Sequence, residues 1–263
     1  MKALAVVVPI FAFLTGAAGF FLRTYELANV FDAVTGLPER NALVTNILIA
    51  LSFVNLIAII ALAGHVAAKH KSPKGFANTF GADPVFYPIL FIVVGAIWLI
   101  GTYMFFELNR LEGNLSVTYI YFIVLSGLAA ICMTFFAIEM FQDSRRKASY
   151  ALSLVPTVFL CFWLILLFQQ NSTNPILLSY VYQILAIVSA ALAFYFTSGF
   201  IYNKSAPGRA IASYYSSMYF SAIALADNIH FGQILIFSAI ISASLIHLAV
   251  MLRNLEPKEF YRP

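Results

Sequence analysis

Serine and tyrosine hydroxyls are concentrated in one apolar stretch, residues 210–226. Three serines recur there every four residues, which places them in one stripe along a helix: Ser213, Ser217 and Ser221. Three tyrosines lie beside the stripe: Tyr214, Tyr215 and Tyr219. Small residues at this spacing can form a tight seam between membrane helices. The same hydroxyls can instead line a ligand cavity, and the sequence leaves both interpretations open.

Acidic residues on the predicted outer face of the bundle suggest a second kind of site, the polar entrance to a binding site for a cation or an amine. They are Glu26, Asp32, Glu39, Glu107, Glu112 and Asp227, with His230 close to the last of them. The alternative is ordinary ion pairing with nearby arginines, which contributes about 0–1 kcal/mol per exposed pair. The candidate binding residues from both patterns are Ser213, Tyr214, Ser217, Ser221, Asp227, His230, Glu26 and Asp32.

Motifs for common enzyme chemistry are absent from the sequence. It contains no glycine-rich phosphate loop, no His-Glu-x-x-His helix and no Gly-x-Ser-x-Gly elbow. We therefore predict a non-enzymatic protein with no cofactor and no metal. One haem alternative remains, because His65 and His247 could lie at the same membrane depth as two axial ligands. Interfacial histidines bonded to loops are the commoner situation.

The composition requires these residues to be positioned by membrane helices. Hydrophobic residues make up 62% of the chain and charged residues 10%, with a mean hydropathy of +0.90. Soluble domains contain about 25% charged residues, so most side chains here must face lipid or other helices. We predict an all-α bundle forming a single integral membrane domain over residues 1–263, with no separate soluble domain.

The lengths of the uncharged segments predict eight transmembrane helices. Residues 148–203 lack charge entirely, and one helix of that length would reach about 84 Å, so the chain must fold back at the polar residues 169–175. Residues 227–230 break the next long segment in the same way. The predicted spans are 3–22, 43–66, 85–106, 116–138, 149–168, 175–202, 210–226 and 231–252.

The distribution of basic residues predicts the orientation. With eight spans, twelve of the 15 lysines and arginines fall on the side of both termini. The exceptions are Arg23, Arg40 and Arg110. Basic residues accumulate in cytoplasmic loops, so we predict cytoplasmic N- and C-termini in a cell membrane. Because the basic residues flank the spans, the net charge of +4 does not indicate nucleic-acid binding.

The connection over residues 23–42 is too apolar for a freely solvated loop. Asp32 and Gly36 have the residue types of a tight turn. We predict that this segment forms a small hairpin or helical cap on the outer face of the bundle.

Two segments resemble uncharacterised multi-pass membrane proteins of Gram-positive anaerobic bacteria. One is Arg23-x-x-Glu26-Leu27-Ala28-x-x-Phe31-Asp32-x-x-Thr35-Gly36-Leu37, and the other runs from Ala77 to Asp83. The resemblance implies a bacterial cytoplasmic membrane. It implies no activity and assigns no catalytic residue.

Two functions fit these patterns. The first is binding or translocation of a small apolar or amphipathic molecule, with residues 210–226 lining the pocket and residues 23–42 covering it. The second is a membrane scaffold or partner subunit, or a homo-oligomer, whose basic loops face anionic lipid or an acidic protein. A membrane-embedded enzyme or haem protein has the least support.

Overall fold

A computed structural model describes residues 3–32, 37–39, 41–73, 75–81, 86–141, 151–174, 176–204 and 206–258. For residue 77 and residues 136–141 it describes the backbone alone. The α-helices are α1 (Leu4–Asn29), α2 (Leu43–Lys69), α3 (Phe76–Phe80), α4 (Phe86–Leu111), α5 (Val117–Phe141), α6 (Val155–Gln170), α7 (Val181–Ile201), α8 (Pro207–Ala224) and α9 (Phe231–Asn254). A 3-10 turn, Leu177–Ser179, precedes α7. Two short strands, β1 (His70–Lys71) and β2 (Glu256–Pro257), pair antiparallel.

Six of the described helices are long and apolar enough to cross a membrane: α1, α2, α4, α5, α7 and α9. Large apolar side chains cover their outer surfaces; Phe21 is 70% exposed and Phe53 is 63% exposed. Contiguous apolar surface of this kind is not found on soluble monomers. The chain is therefore a multi-pass membrane protein built as an all-α bundle. Of the other long helices, α6 is apolar but has only 16 residues, and α8 is less apolar.

Each predicted span overlaps one helix, but the first predicted boundary is wrong. Helix α1 continues to Asn29, so Arg23 and Glu26 belong to its last turns and not to a loop. The reason is that the two side chains pair at i,i+3, with 2.8 Å between Nη1 and Oε2, and both are buried against other helices. The predicted cap is a short hairpin, in which Phe31 bridges Pro38. Its predicted turn lies in residues 33–36, outside the described residues.

Helices α4 and α7 are each followed by a residue in the left-handed backbone conformation, which forms the C-terminal cap. At the end of α4, Gly113 has φ +70°, and the N–H of Asn114 donates to the carbonyl of Asn109. At the end of α7, Asn203 has φ +57°, and the N–H of Lys204 donates to the carbonyl of Gly199. Glycine and asparagine are the residues that tolerate this cap most readily. The two caps fix where the chain turns back.

Helix α8 lies at the centre of the bundle. It packs against α1, α2, α7 and α9, and most of its residues are buried. Gly16 and Gly19 of α1 face it closely: a Cβ atom at Gly16 would lie 3.0 Å from that of Ala222, and one at Gly19 would lie 2.6 Å from Cγ1 of Ile223. Small residues thus bring the least apolar helix into contact with its neighbours.

Alternate connections of the chain meet at one end of the bundle, which we call the acidic end. Here Arg23 of α1 bonds Asp227, which lies between α8 and α9. Gln170 Nε2 at the end of α6 donates to the Tyr119 hydroxyl of α5, with 3.0 Å between the atoms. The described acidic residues at this end are Glu26, Asp32, Glu39, Glu107, Glu112 and Asp227.

The remaining described connections meet at the opposite end, which we call the basic end. The β1–β2 pair joins the segment after α2 to the segment after α9. Asn254 Nδ2 donates to the carbonyl of Gly81 at 2.7 Å, which ties α9 to the segment after α3. The described basic residues at this end are Lys69, Lys71, Lys204, Arg209, Arg253 and Lys258.

The closest contact between helix backbones generates a prediction. A Cβ atom at Gly232 would lie 2.5 Å from the Phe105 amide nitrogen, and one at Gly101 would lie 2.8 Å from the Gly232 carbonyl oxygen. Because backbone cannot yield as a side chain can, we expect Gly101→Ala and Gly232→Ala each to lower the free energy of unfolding by about 1–3 kcal/mol. Thermal unfolding of the detergent-solubilised protein measures this effect.

The matched controls are Gly64→Ala and Gly127→Ala, because a Cβ atom at either glycine would meet nothing within 4 Å. Alanine is the better helix former, so stability should stay the same or rise. An equal loss of stability in all four variants would contradict the proposed close contact between α4 and α9.

Candidate functional site

The serine stripe of α8 lies in a helix–helix contact. Ser217 and Ser221 have no exposed surface, and Ser213 is 8% exposed. The Ser244 hydroxyl of α9 donates to that of Ser217, with 3.1 Å between the oxygens. The hydroxyl of Ser221 is buried without a partner among the described residues. This geometry agrees with the close-packing interpretation, and ligand binding by the stripe stays a prediction.

Two tyrosines of α8 connect it to α1 and α2 through hydrogen bonds. The Tyr215 hydroxyl donates to Oδ1 of Asn55 at 2.7 Å, and lies 3.2 Å from the Thr15 hydroxyl. The Tyr219 hydroxyl lies 3.1 Å from that of Ser52. These contacts satisfy polar groups that would otherwise be costly in an apolar interior. They hold α8 in place on one side of the bundle.

A cluster of charged side chains is buried at the acidic end. Arg23 and Glu26 have no exposed surface, and the Asp227 side chain is 1% exposed. Arg23 Nε donates to Oδ1 of Asp227 and Nη1 donates to Oε2 of Glu26, each at 2.8 Å. Nη2 donates to the carbonyls of Leu178 and Ser179 at 3.1 and 3.0 Å. One guanidinium thereby joins α1, the turn before α7 and the α8–α9 connection.

The two carboxylates of the cluster differ in their hydrogen bonds. Both oxygens of Glu26 accept, because the Thr45 hydroxyl donates to Oε1 at 2.6 Å. Oδ2 of Asp227 is buried and accepts no hydrogen bond from a described residue. Burial raises the pKa of the Asp227 carboxyl above its ordinary value, and this outweighs the lowering by the Arg23 charge and by the neighbouring Gln183 amide.

The other members of the predicted acidic entrance are placed apart from the cluster. Asp32 is exposed on the hairpin after α1. His230 is the N-cap of α9: its backbone N–H donates to the Gln233 side chain at 3.2 Å, and its side chain accepts from the Gln233 backbone. Glu107 pairs with Arg110 at the exposed end of α4, with 3.1 Å between Oε1 and Nη2. The structure therefore joins only Glu26 and Asp227 among the predicted acidic binding residues.

A cavity lies on the other side of α8, toward the basic end. The volume of this cavity is about 30 Å³. A void needs about 10–15 Å³ by this measure to hold one water, so the cavity accommodates about two waters or the end of a slender chain. Its lining residues are Phe76, Tyr87, Phe91, Cys132, Met133, Leu152, Ser153, Pro156, Phe194, Thr197 and His247.

Four polar side chains interrupt the apolar lining: Tyr87, Ser153, Thr197 and His247. The Tyr87 hydroxyl is buried and makes no hydrogen bond to a described residue. His247 is 4% exposed, and its ring nitrogens make no hydrogen bond within the described part of the chain. The Thr197 hydroxyl lies 2.6 Å from the Tyr214 hydroxyl. The cavity thus offers two polar side chains whose hydrogen-bonding capacity is unused by described residues.

Tyr214 connects the predicted site to this cavity. Its ring stacks on that of His247, with 5.4 Å between centroids and 22° between planes, and its hydroxyl bonds Thr197. None of the eight predicted binding residues lines the cavity. Tyr214 contacts two lining residues, His247 and Thr197, without lining the cavity itself.

The two histidines of the haem alternative occupy different environments. His65 is exposed on α2, whereas His247 is enclosed by aromatic rings, including that of Phe91 at 4.7 Å between centroids. The two residues do not line one cavity. Two axial ligands would have to face the same space, so this geometry does not favour a haem held by this pair.

Sequence reasoning missed Tyr87, Cys132 and Thr197 as lining residues. Each lies singly in an apolar segment without a repeated spacing, so no local pattern distinguishes it. Only the packing of α4, α5 and α7 brings them together. The one available signal was that Tyr87 places a hydroxyl in the first turn of a span.

Comparison with family models, curated proteins and solved structures finds no match for the chain. The resemblance of residues 23–37 to bacterial membrane proteins stays a prediction. The chemistry of the cavity and of the charged cluster is therefore the basis for proposing a function.

The burial of the serine stripe generates a second prediction. We expect Ser221→Leu to lower the thermal stability of the detergent-solubilised protein, because the added methyl groups have no room in the α8 contact; overpacking costs about 1–3 kcal/mol. Ser221→Ala should leave stability unchanged or raise it, because it removes a hydroxyl that has no described partner. If Ser221→Leu unfolds at the wild-type temperature, space exists beside the stripe and the cavity interpretation is preferred.

Proposed function

We propose that this multi-pass membrane protein binds a small amphipathic molecule in the cavity between α4, α5, α7 and α9. The supporting observation is the pair of buried polar side chains, Tyr87 and His247, in a mainly apolar lining; the Tyr87 hydroxyl has no described hydrogen-bond partner. Ligand pockets commonly combine an apolar lining with a few polar groups that orient the ligand. Binding, or translocation that begins with binding, is a non-enzymatic role.

The chemistry of the lining defines the ligand class. The Tyr87 hydroxyl can donate to an acceptor, and a ring nitrogen of His247 can donate or accept. A hydroxyl or carbonyl group at one end of the ligand would bond both. The aromatic rings of Phe91 and Phe194 would contact an apolar remainder. Because the cavity holds only about two waters, the end of a slender chain fits in it and a ring system does not.

We further propose that the chain crosses the membrane eight times with both termini in the cytoplasm. Successive described connections lie alternately at the acidic and the basic end, so α6 and α8 each run from one end of the bundle to the other. This arrangement supports the count of eight spans. α8 owes its position to its neighbours, because its polar residues are buried against other helices. The basic residues at one end support the orientation.

The ligand proposal predicts the effect of removing each polar group. The probe is a long-chain alcohol bearing a photoactivatable diazirine, whose crosslinks to cavity peptides are quantified by mass spectrometry. We expect Tyr87→Phe and His247→Phe each to reduce saturable labelling about fivefold, because one hydrogen bond contributes about 1 kcal/mol. An excess of the unlabelled alcohol should abolish the labelling.

Tyr121→Phe is the matched control, because Tyr121 is 58% exposed on the outer surface of α5. It should label as the wild type does. Equal labelling of all variants would show that the alcohol inserts non-specifically and would contradict the proposal. A stoichiometric protein partner in the purified sample, with no saturable labelling, would favour the scaffold or partner-subunit function instead.

The topology proposal predicts the accessibility of single cysteines. In a variant with Cys132 and Cys161 replaced by alanine, a membrane-impermeant maleimide should label Asn228→Cys in intact cells. Lys204→Cys should react only after permeabilisation, because the two positions flank α8 on opposite sides. Labelling of both positions from the same side would show that α8 does not cross the membrane.

A further inference from the structure

The buried cluster of Arg23, Glu26 and Asp227 has an unequal number of opposite charges. With both carboxyl groups ionised, one guanidinium faces two carboxylates. Neither carboxylate forms an ion pair with any other basic side chain that the structure describes. A net buried charge without compensation is strongly unfavourable in a low-dielectric interior. The cluster therefore requires one further positive charge, either a proton or a bound cation.

The described groups packed around the cluster supply no such charge. From α7, the Tyr182 ring lies 5.2 Å from Cζ of Arg23, and from the hairpin after α1 the Phe31 ring lies at 5.8 Å. From α2, Thr45 contributes a neutral hydroxyl. On the α9 side, the nearest titratable group in sequence is His230, whose side chain caps that helix.

The hydrogen bonds of Glu26 and Asp227 indicate which carboxylate oxygen takes up the additional positive charge. Glu26 accepts a donor at each oxygen, from Arg23 and from Thr45, which stabilises its ionised form. Asp227 accepts from Arg23 at Oδ1, whereas Oδ2 is buried and no described group lies within hydrogen-bond distance of it, although the Gln183 amide is near the carboxyl group. An ionised Oδ2 would be an unsatisfied buried acceptor, whereas a protonated Oδ2 becomes a donor.

We propose that this cluster is a proton-binding site, in which Oδ2 of Asp227 holds one proton at neutral pH while Glu26 remains ionised. The site then contains one positive and one negative charge. The Gln183 amide next to Asp227 can turn its oxygen toward the O–H and accept from it. The direction of the Asp227 pKa shift agrees with this geometry.

The proton links three parts of the chain. Loss of the proton would leave a net negative charge where α1, the turn before α7 and the α8–α9 connection meet. Because the site lies at one end of the bundle, protons would exchange with the solution on that side. The site is distinct from the cavity at the basic end, so the proton-binding proposal does not depend on whether the cavity binds the proposed ligand.

Infrared spectroscopy of the protein in lipid nanodiscs at pH 7 tests the proposal directly. We expect the carbonyl stretch of a protonated carboxylic acid in the wild type and its loss in Asp227→Asn. Glu107→Gln is the matched control, since it removes a partly exposed carboxylate that pairs with the exposed Arg110, and it should retain the band. Both variants must elute as monodisperse protein.

A stability measurement provides a second readout. A carboxyl group whose folded pKa is raised stabilises the fold below its ordinary pKa of about 3.9, and that stability is lost as pH rises through the folded value. The unfolding temperature of the wild type should therefore fall over that interval, relative to Asp227→Asn measured at the same pH values. A difference between the two proteins that does not vary with pH would overturn the proposal.

Three further outcomes would also overturn it. If the wild type lacks the band but sodium chloride raises its unfolding temperature more than choline chloride does, a bound cation compensates the charge. If the band is absent in the wild type but present in Arg40→Gln, then Arg40 supplies the compensating charge. Persistence of the band in Asp227→Asn would place the proton on another carboxyl group.

Discussion

The Arg23 guanidinium is the interaction on which the acidic end of the bundle depends. It bonds a residue of its own helix, two carbonyls before α7 and the carboxyl group after α8. Removing one partner of a buried ion pair costs about 3–5 kcal/mol, because the other charge is left uncompensated. The positions of α1, α7 and α8 at this end are therefore coupled. Helices that share only apolar contacts in lipid have no comparable constraint.

The two sides of α8 differ in how completely their polar groups are satisfied. Toward α1 and α2, Tyr215 and Tyr219 bond Asn55, Thr15 and Ser52, so that surface is fixed by hydrogen bonds. Toward the cavity, Tyr214 uses its hydroxyl on Thr197 and its ring on His247. The imidazole and the Tyr87 hydroxyl beyond it bond no described residue. The proposed ligand site thus lies against a surface that hydrogen bonds hold in place, as precise orientation requires.

Apolar run length and charge placement predicted the helices because lipid imposes both directly on the sequence. The predicted start of the first connection was wrong. Arg23 and Glu26 form a buried ion pair and so stay in the helix, whereas an unpaired charge would end the span. The serine stripe was recognised from its period, but a period of four does not distinguish a cavity from a seam. Tyr87 and His247 could not be found this way. They are 160 positions apart in sequence, and their proximity depends on how α4 packs on α9.

The central position of α8 also bears on how the protein is made. Its few strongly apolar residues supply only about 1–2 kcal/mol of insertion free energy, whereas α9 is far more apolar. Three of its contacting helices, α1, α2 and α7, precede it in the chain. If α8 crosses the membrane as proposed, most of its contact surface is already in place when it is synthesised, and contacts with the earlier helices hold it in the bundle. The order of the sequence thus allows a weakly apolar segment to occupy the interior of the bundle.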